Sequence, residues 1–239
     1  MVPSKSQVNK AGQIIRDVGR RRLDLQDPRL DWAFDVLVAY RAAHQYPLVK
    51  ASNGLRSILR TEQIPGQVSQ RLKRIPTIGE KLQREPSMQL ARMQDIGGCR
   101  AVLASLDELR AVERRLRKNR PPARVSDYIR APRTSGYRAL HLVVMYEDRD
   151  QIERAVEVQL RTQVMHDWAF SIEQVGGRIG DELKSGIGPA PVLDFLRAVA
   201  EAMAAEEGGE MIPRRLRAEL AELRSKALPF LGTEPRRES

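Results

Sequence analysis

The segment formed by residues 156–170, VEVQLRTQVMHDWAF, constrains this chain more than any other. Val156, Val158 and Leu160 alternate with Glu157, Gln159 and Arg161, the period of a strand with one buried face. The opposite face then carries a carboxylate, an amide and a guanidinium in a row, and polar sequence continues through His166 and Asp167 into a helix. On an isolated strand such a row is an ordinary solvated face. Here three earlier segments supply what the row lacks: a basic run, an aspartate before two glycines, and a loop reading SGYRALH. Together they point to chemistry on phosphoryl groups.

The chain has 239 residues, 41% of them hydrophobic, which suits one domain with helical additions and a real core. Lys and Arg number 41 against 31 Asp and Glu, a formal charge of +10. That balance favours polyanionic partners without choosing between nucleotides, nucleic acid and acidic proteins. Cys99 is the sole cysteine, so an internal disulfide framework and a cysteine-rich metal site are excluded. No apolar run approaches the roughly 20 residues that span a bilayer, and the N-terminus lacks an apolar stretch of signal-peptide length. A cytoplasmic protein without membrane contact is expected.

Taken in order, the periodicity predicts helices over residues 10–19 and 31–44, a stop at Pro47, and a further helix over 51–60. His44 reads equally well as a cap against the last carbonyls and as a binding residue. Residues 67–84 form a basic run with Arg71, Lys73, Arg74 and Lys81, in which a helix restarts at Thr77. This is either a solvated basic face or an anion site at a helix N-terminus. Asp95, before Gly97 and Gly98, is a turn residue or a metal-binding carboxylate at a sheet edge. A strand over 100–103 leads to an amphipathic helix over 106–117, and residues 125–132 are short and extended. The alternation in residues 137–146 predicts a strand with Tyr137 and His141 on one face, paired as a hairpin with the strand at 156. His141 and His166 could each be a satisfied core histidine; Cys99 and Trp168 read as core. The glycine-rich GGRIG and SGIGPAP read as loop, followed by helices over 192–206 and 213–226 and a charged tail. The fold class is α/β: a mixed, largely antiparallel sheet of four or five strands with helices at both ends of the chain. The expected division is a helical region 1–60, a catalytic domain 61–175, and a loop with C-terminal helices 176–239.

Four segments, RLKRIPTIGEKL, DIGGCR, DYIRAPRTSGYRALH and EVQLRTQVMH, occur in an order and spacing that resembles the synthetase domain of the RelA/SpoT-type alarmone synthetases. The resemblance covers about residues 67–170. It implies a nucleotidyltransferase-like mixed sheet and an enzyme that moves the β,γ-pyrophosphate of ATP onto a ribose 3′-hydroxyl with Mg2+. Asp95 and Glu157 match the family's two acidic positions, implying metal binding by both and activation of the acceptor hydroxyl by Glu157. Arg71, Lys73, Arg74 and Lys81 resemble the ATP-phosphate grip, and Arg100 an arginine stacked on adenine. Tyr137 matches the tyrosine that stacks on the acceptor base. Arg133 and His141 would then face acceptor phosphates, with Gln159, Arg161 and His166 along the far wall. In-line phosphoryl transfer asks mainly for position and charge neutralisation, which such a set can provide.

Two departures refine the resemblance. Arg133 stands where the family commonly has lysine, keeping charge but changing geometry. The longer members carry a hydrolase domain with a histidine-rich metal site. This chain has three histidines, His44, His141 and His166, so synthesis without degradation is expected. Small members divide by acceptor into GTP/GDP-using alarmone synthetases and toxins that modify the 3′ end of tRNA. The N-terminal pattern Arg41-x-x-His44-x-x-Pro47-Leu48 resembles the toxin group, and +10 suits an RNA acceptor. The sequence therefore favours tRNA, with an antitoxin partner implied and guanine nucleotides as the alternative. A homo-oligomer is compatible with this reading. So, in a different class, is a non-catalytic RNA-binding module, although such a module would gain nothing from two carboxylates facing phosphates.

Overall fold

A capping box starts the first helix earlier than periodicity alone predicts. In the computed structural model, which describes residues 2–179 and 183–231, the Ser4 hydroxyl accepts from the Gln7 amide while Gln7 Oε1 accepts from the Ser4 amide. Both orphan donors are thereby satisfied, and α1 spans Lys5–Gly19. Helices α2 (Arg29–Ala42) and α3 (Gln45–Thr61) are separated only by Ala43 and His44, both in helical backbone. Pro47 was expected to stop one helix well before the next. It lies instead in the first turn of α3, where its missing N–H has no intrahelical partner to lose.

Residues Gln67–Leu72 form strand β1 rather than part of a basic helix. Helix α4 (Ile75–Arg84) starts two residues before Thr77, with Arg74 at its N-cap and Pro76 in the first turn. A 3-10 turn at Leu90–Arg92 precedes β2 (Gly97–Leu103), α5 (Leu106–Asn119) and β3 (Arg124–Asp127). Strand β4 is Leu140–Glu147, so Tyr137 lies in the loop before it, and β5 is Glu153–Thr162. Helix α6 (Gln163–Ile179) runs through Gly176 and Gly177, which were expected in a loop. After a 3-10 turn at Leu183–Ser185 come α7 (Ala190–Glu207) and α8 (Arg214–Leu231). The expected loop at Gly180 and the charged tail from 232 lie outside the described residues.

The five strands form one mixed sheet in the order β1-β2-β5-β4-β3. The β4–β5 hairpin is closed by the Asp148 amide donating to the Ile152 carbonyl at 2.9 Å, and β3 meets β4 through Tyr128 N to Ala139 O at 2.9 Å. Within the described residues the chain divides into two compact units, interleaved along the sequence. The first comprises residues 1–101, 114–125 and 142–159, and the second 102–113, 126–141 and 160–239. In the first, α1 packs on α2 and α4 around Val8, Ala11, Ile14, Leu37, Ile78 and Leu82. In the second, α6, α7 and α8 enclose Tyr137, Trp168, Ile172, Leu183, Leu196 and Ala227. No helix among the described residues is long and apolar enough to cross a membrane.

Candidate active site

In the first unit two lysines converge on one carboxylate. Asp95 occupies the turn directly before β2 and is half-buried. Lys73 Nζ lies 3.0 Å from Asp95 Oδ2 and Lys81 Nζ 3.1 Å from Oδ1. Lys73 is aimed by its own backbone. Its amide donates to the Ile96 carbonyl at 2.8 Å, and its carbonyl accepts from Arg41 Nε at 2.7 Å. Lys81 sits on α4, whose Ile78 and Leu82 are fully buried, so the helix is fixed by its apolar stripe. Arg71 and Arg74, grouped with these lysines by sequence, are exposed and make none of these contacts with Asp95.

Glu157 is half-buried on β5, and Gln159 Nε2 donates to its Oε2 at 2.6 Å. Gln159, expected along the far wall of the acceptor site, makes this contact with the carboxylate two positions away on the same face. Strand β2 runs beside Glu157: a Cβ added to Gly98 would lie 3.7 Å from the Glu157 carbonyl. Arg100, two residues beyond Gly98, shares its half-exposed face. Among the described residues no three or more His, Cys, Asp or Glu group into a metal cage. Asp95 and Glu157 each offer the carboxylate oxygens that Mg2+ takes, a metal usually held by one or two carboxylates and completed by water and substrate phosphates.

The second unit contains a tyrosine ringed by cations. Tyr137 is 0% exposed. Its hydroxyl accepts from Arg161 Nη2 at 2.8 Å and shares a hydrogen bond with His141 Nε2 at 2.7 Å. The guanidinium carbons of Arg161 and Arg133 lie 5.2 and 5.4 Å from the ring centroid, and Lys184 Nζ lies 5.0 Å from it. Arg133 also donates to the Tyr128 hydroxyl at 3.1 Å, 4.5 Å over that ring. Tyr137 and His141, expected on one face of a strand, are in contact although Tyr137 precedes β4, and the protein's own side chains surround the ring on which an acceptor base was expected to stack. His166 lies on α6, half-buried. Arg161, expected on a substrate wall, is 1% exposed and is engaged with Tyr137.

Tyr128 and Lys184 were missed by sequence reasoning. Tyr128 had a signal, an aromatic inside the DYIRAP motif; Lys184, outside every motif, had none. Gly136 positions Tyr137. Its φ is +84°, and a Cβ there would come within 2.7 Å of Ala200 Cβ, so only glycine seats this turn against α7 without strain.

His44 and Cys99 serve packing. His44 is 1% exposed with Nδ1 at 2.9 Å from the Tyr40 carbonyl, so Nδ1 carries the proton. Burial pulls its pKa down to about 4. Cys99 is buried, and that burial pushes its thiol up to about 12.

A family model described as a region found in RelA / SpoT proteins matches residues 70–174, the stretch bearing Lys73, Lys81, Asp95, Tyr137 and Glu157. The GTP pyrophosphokinase YjbM of Bacillus subtilis is 34% identical over 143 residues, 56% of this chain and 67% of that protein. The chain belongs to the RelA/SpoT family. It is a pyrophosphokinase of the RelA/SpoT synthetase type. Among solved structures, the small alarmone synthetase 1 from Bacillus subtilis matches with a TM-score of 0.60 at 26% identity, covering 79% of this chain and 99% of that one. The same enzyme bound to its product pppGpp matches at 0.57 and 29% identity, over 83% and 99%. The RelA/SpoT assignment and the five-stranded fold thus agree.

Proposed function

We propose that this synthetase transfers the β,γ-pyrophosphate of ATP to the 3′-hydroxyl of a guanine nucleotide, GDP or GTP. The observation that carries the reading is the Asp95 carboxylate gripped by Lys73 and Lys81, with Glu157 on the strand next to the one Asp95 introduces. Carboxylates interleaved with cations suit a transfer whose demands are position and charge neutralisation. Lys73 and Lys81 bind the ATP phosphates and Arg100 orients the adenine. Asp95 and Glu157 would hold Mg2+, which when bound would supply further neutralisation of phosphate charge. The acceptor's 3′-oxygen bonds to the β-phosphorus as the bond from that phosphorus to the α,β-bridging oxygen breaks. AMP leaves, and the hydroxyl proton passes to Glu157. The cluster of Arg133, Tyr137, His141 and Arg161 takes the acceptor.

The choice of acceptor rests on two points. The Bacillus subtilis relative YjbM is named a GTP pyrophosphokinase, and one solved relative holds pppGpp. The Arg41–His44 pattern that favoured tRNA has an internal use, since Arg41 holds the Lys73 carbonyl and His44 the Tyr40 carbonyl. That internal use accounts for both residues without an RNA acceptor, so guanine nucleotide is the preferred acceptor, and tRNA with an antitoxin is the second reading. The test is ATP labelled at the γ-phosphate, incubated with Mg2+ and GDP, GTP or deacylated tRNA. Label on the guanine nucleotides with release of AMP is expected. Label on the tRNA 3′ end alone would replace the acceptor with tRNA.

A further inference from the structure

Lys184, from the segment that follows α6, places its Nζ 5.0 Å from the centroid of the Tyr137 ring. We propose that residues 183–188 form a strap over the acceptor site, in which Lys184 stands in for the acceptor base until the acceptor displaces it. This rests on the reading that the Tyr137 cluster binds the acceptor.

The strap is tied at several points. Leu183 is 1% exposed and packs in the core of the second unit, which makes it the anchor. Beyond it, the Lys184 carbonyl accepts from Ser135 Oγ at 3.0 Å, and Lys184 Nζ pairs with Glu173 Oε1 at 2.7 Å while lying over Tyr137. Gly186, at φ +83°, passes so close to the Tyr137 loop that an added Cβ would sit 2.6 Å from Thr134 Oγ1. The strap thus grips Thr134 and Ser135, the residues leading into Gly136 and Tyr137.

The contacts beyond Leu183 are of an exchangeable kind. Glu173 is 43% exposed, and an ion pair in that setting is weak. A cation on an aromatic face and a stacked base are interchangeable partners for the same ring. Two further cations, Arg133 and Arg161, lie about Tyr137 and would stay to meet an anionic acceptor when Lys184 moves away. Lys184 is therefore a residue that sets the apparent acceptor affinity by occupying the site.

A disulfide can lock the strap. The Cβ built at Gly186 lies 3.9 Å from Thr134 Cβ, within the separation a disulfide spans. The native Cys99 is buried with its thiol pushed up to about 12, so it stays out of the exchange. The experiment combines Thr134→Cys with Gly186→Cys and follows transfer from labelled ATP to GDP, or to deacylated tRNA should label go there. The oxidised variant should lose transfer more than tenfold while binding ATP as wild type does, and reductant should restore it. An oxidised, fully bridged variant that transfers at its reduced rate would overturn the strap. Lys184→Ala provides an independent arm: the acceptor KM should fall several-fold with the ATP KM unchanged. An acceptor KM that stays or rises overturns the stand-in role. Failure of the underlying reading looks different, because Tyr137→Ala would then leave the acceptor KM at its wild-type value.

Discussion

Glu157 carries the sharpest residue-level expectation. Gln159 already donates to it at 2.6 Å, so glutamine at 157 keeps the volume but loses the base and the charge. Transfer should fall about a hundredfold or more, the usual scale for removing a general base. ATP binding, measured by titration calorimetry, should change much less, because Lys73 and Lys81 remain. A variant that still transfers at a tenth of the wild-type rate would remove Glu157 from the proton's path. His44 makes a different prediction, about stability. Burial holds its folded pKa near 4 against the ordinary 6.5. Between those values the unfolded chain takes up a proton that the folded chain refuses. Stability is therefore intact above pH 6.5 and falls as pH is lowered towards 4, by about 3 kcal/mol across the window. His44→Gln, which retains a donor for the Tyr40 carbonyl, should flatten that dependence in urea melts at pH 7.5 and pH 5. Parallel curves for the two proteins would assign the pH effect to other groups.

Among the elements, the turn at Gly136 is the one whose geometry the acceptor cluster most depends on. Alanine there must adopt φ near +84° and meet Ala200 Cβ at 2.7 Å and Arg197 Cα at 3.1 Å. Strain and overpacking together should cost about 2–4 kcal/mol, lowering Tm by roughly 5–12 °C for a chain of this size. A Tm within about 2 °C of wild type would mean that α7 can give way. The same scale shows why some elements were legible in the sequence and others were not. Strand β5 announced itself through Val156, Val158 and Leu160, all 0% exposed, because strict alternation has few other readings. Strand β1 did not. It sits at the sheet edge, and its better-covered apolar residues, Val68 and Leu72, are four apart, a helical spacing. Helix α3 was cut short on paper because proline is read as a stop, whereas in a first turn it is harmless. For the site, residue types were readable and aim was not. Lys73 and Lys81 meet at Asp95 only because a strand end and a helix bring them there, while Arg71 and Arg74 in the same run face solvent. Lys184 reaches Tyr137 from 47 positions along the chain, a contact no local pattern encodes.

For the whole molecule the question is what the +10 charge does. Exposed lysines and arginines attract any polyanion, and such attraction is screened within about 10 Å at 0.1 M salt. Binding to an RNA backbone by released counterions falls as a power of salt concentration. The groups assigned here to small substrates are different: Lys73 and Lys81 have side chains 14% and 20% exposed, and Arg161 is buried. Their contacts are short-range and less screened. Raising KCl from about 50 to 300 mM should therefore weaken retention of deacylated tRNA on the protein by tenfold or more. Transfer of pyrophosphate to GDP, at saturating ATP, should change by less than about threefold. The comparison separates two meanings of the charge. If RNA binding collapses while GDP transfer persists, the basic surface is incidental to catalysis and the acceptor is read by the buried cluster. If transfer to tRNA is seen, and it falls in step with tRNA retention, the whole basic surface is part of the acceptor site and the guanine-nucleotide reading gives way.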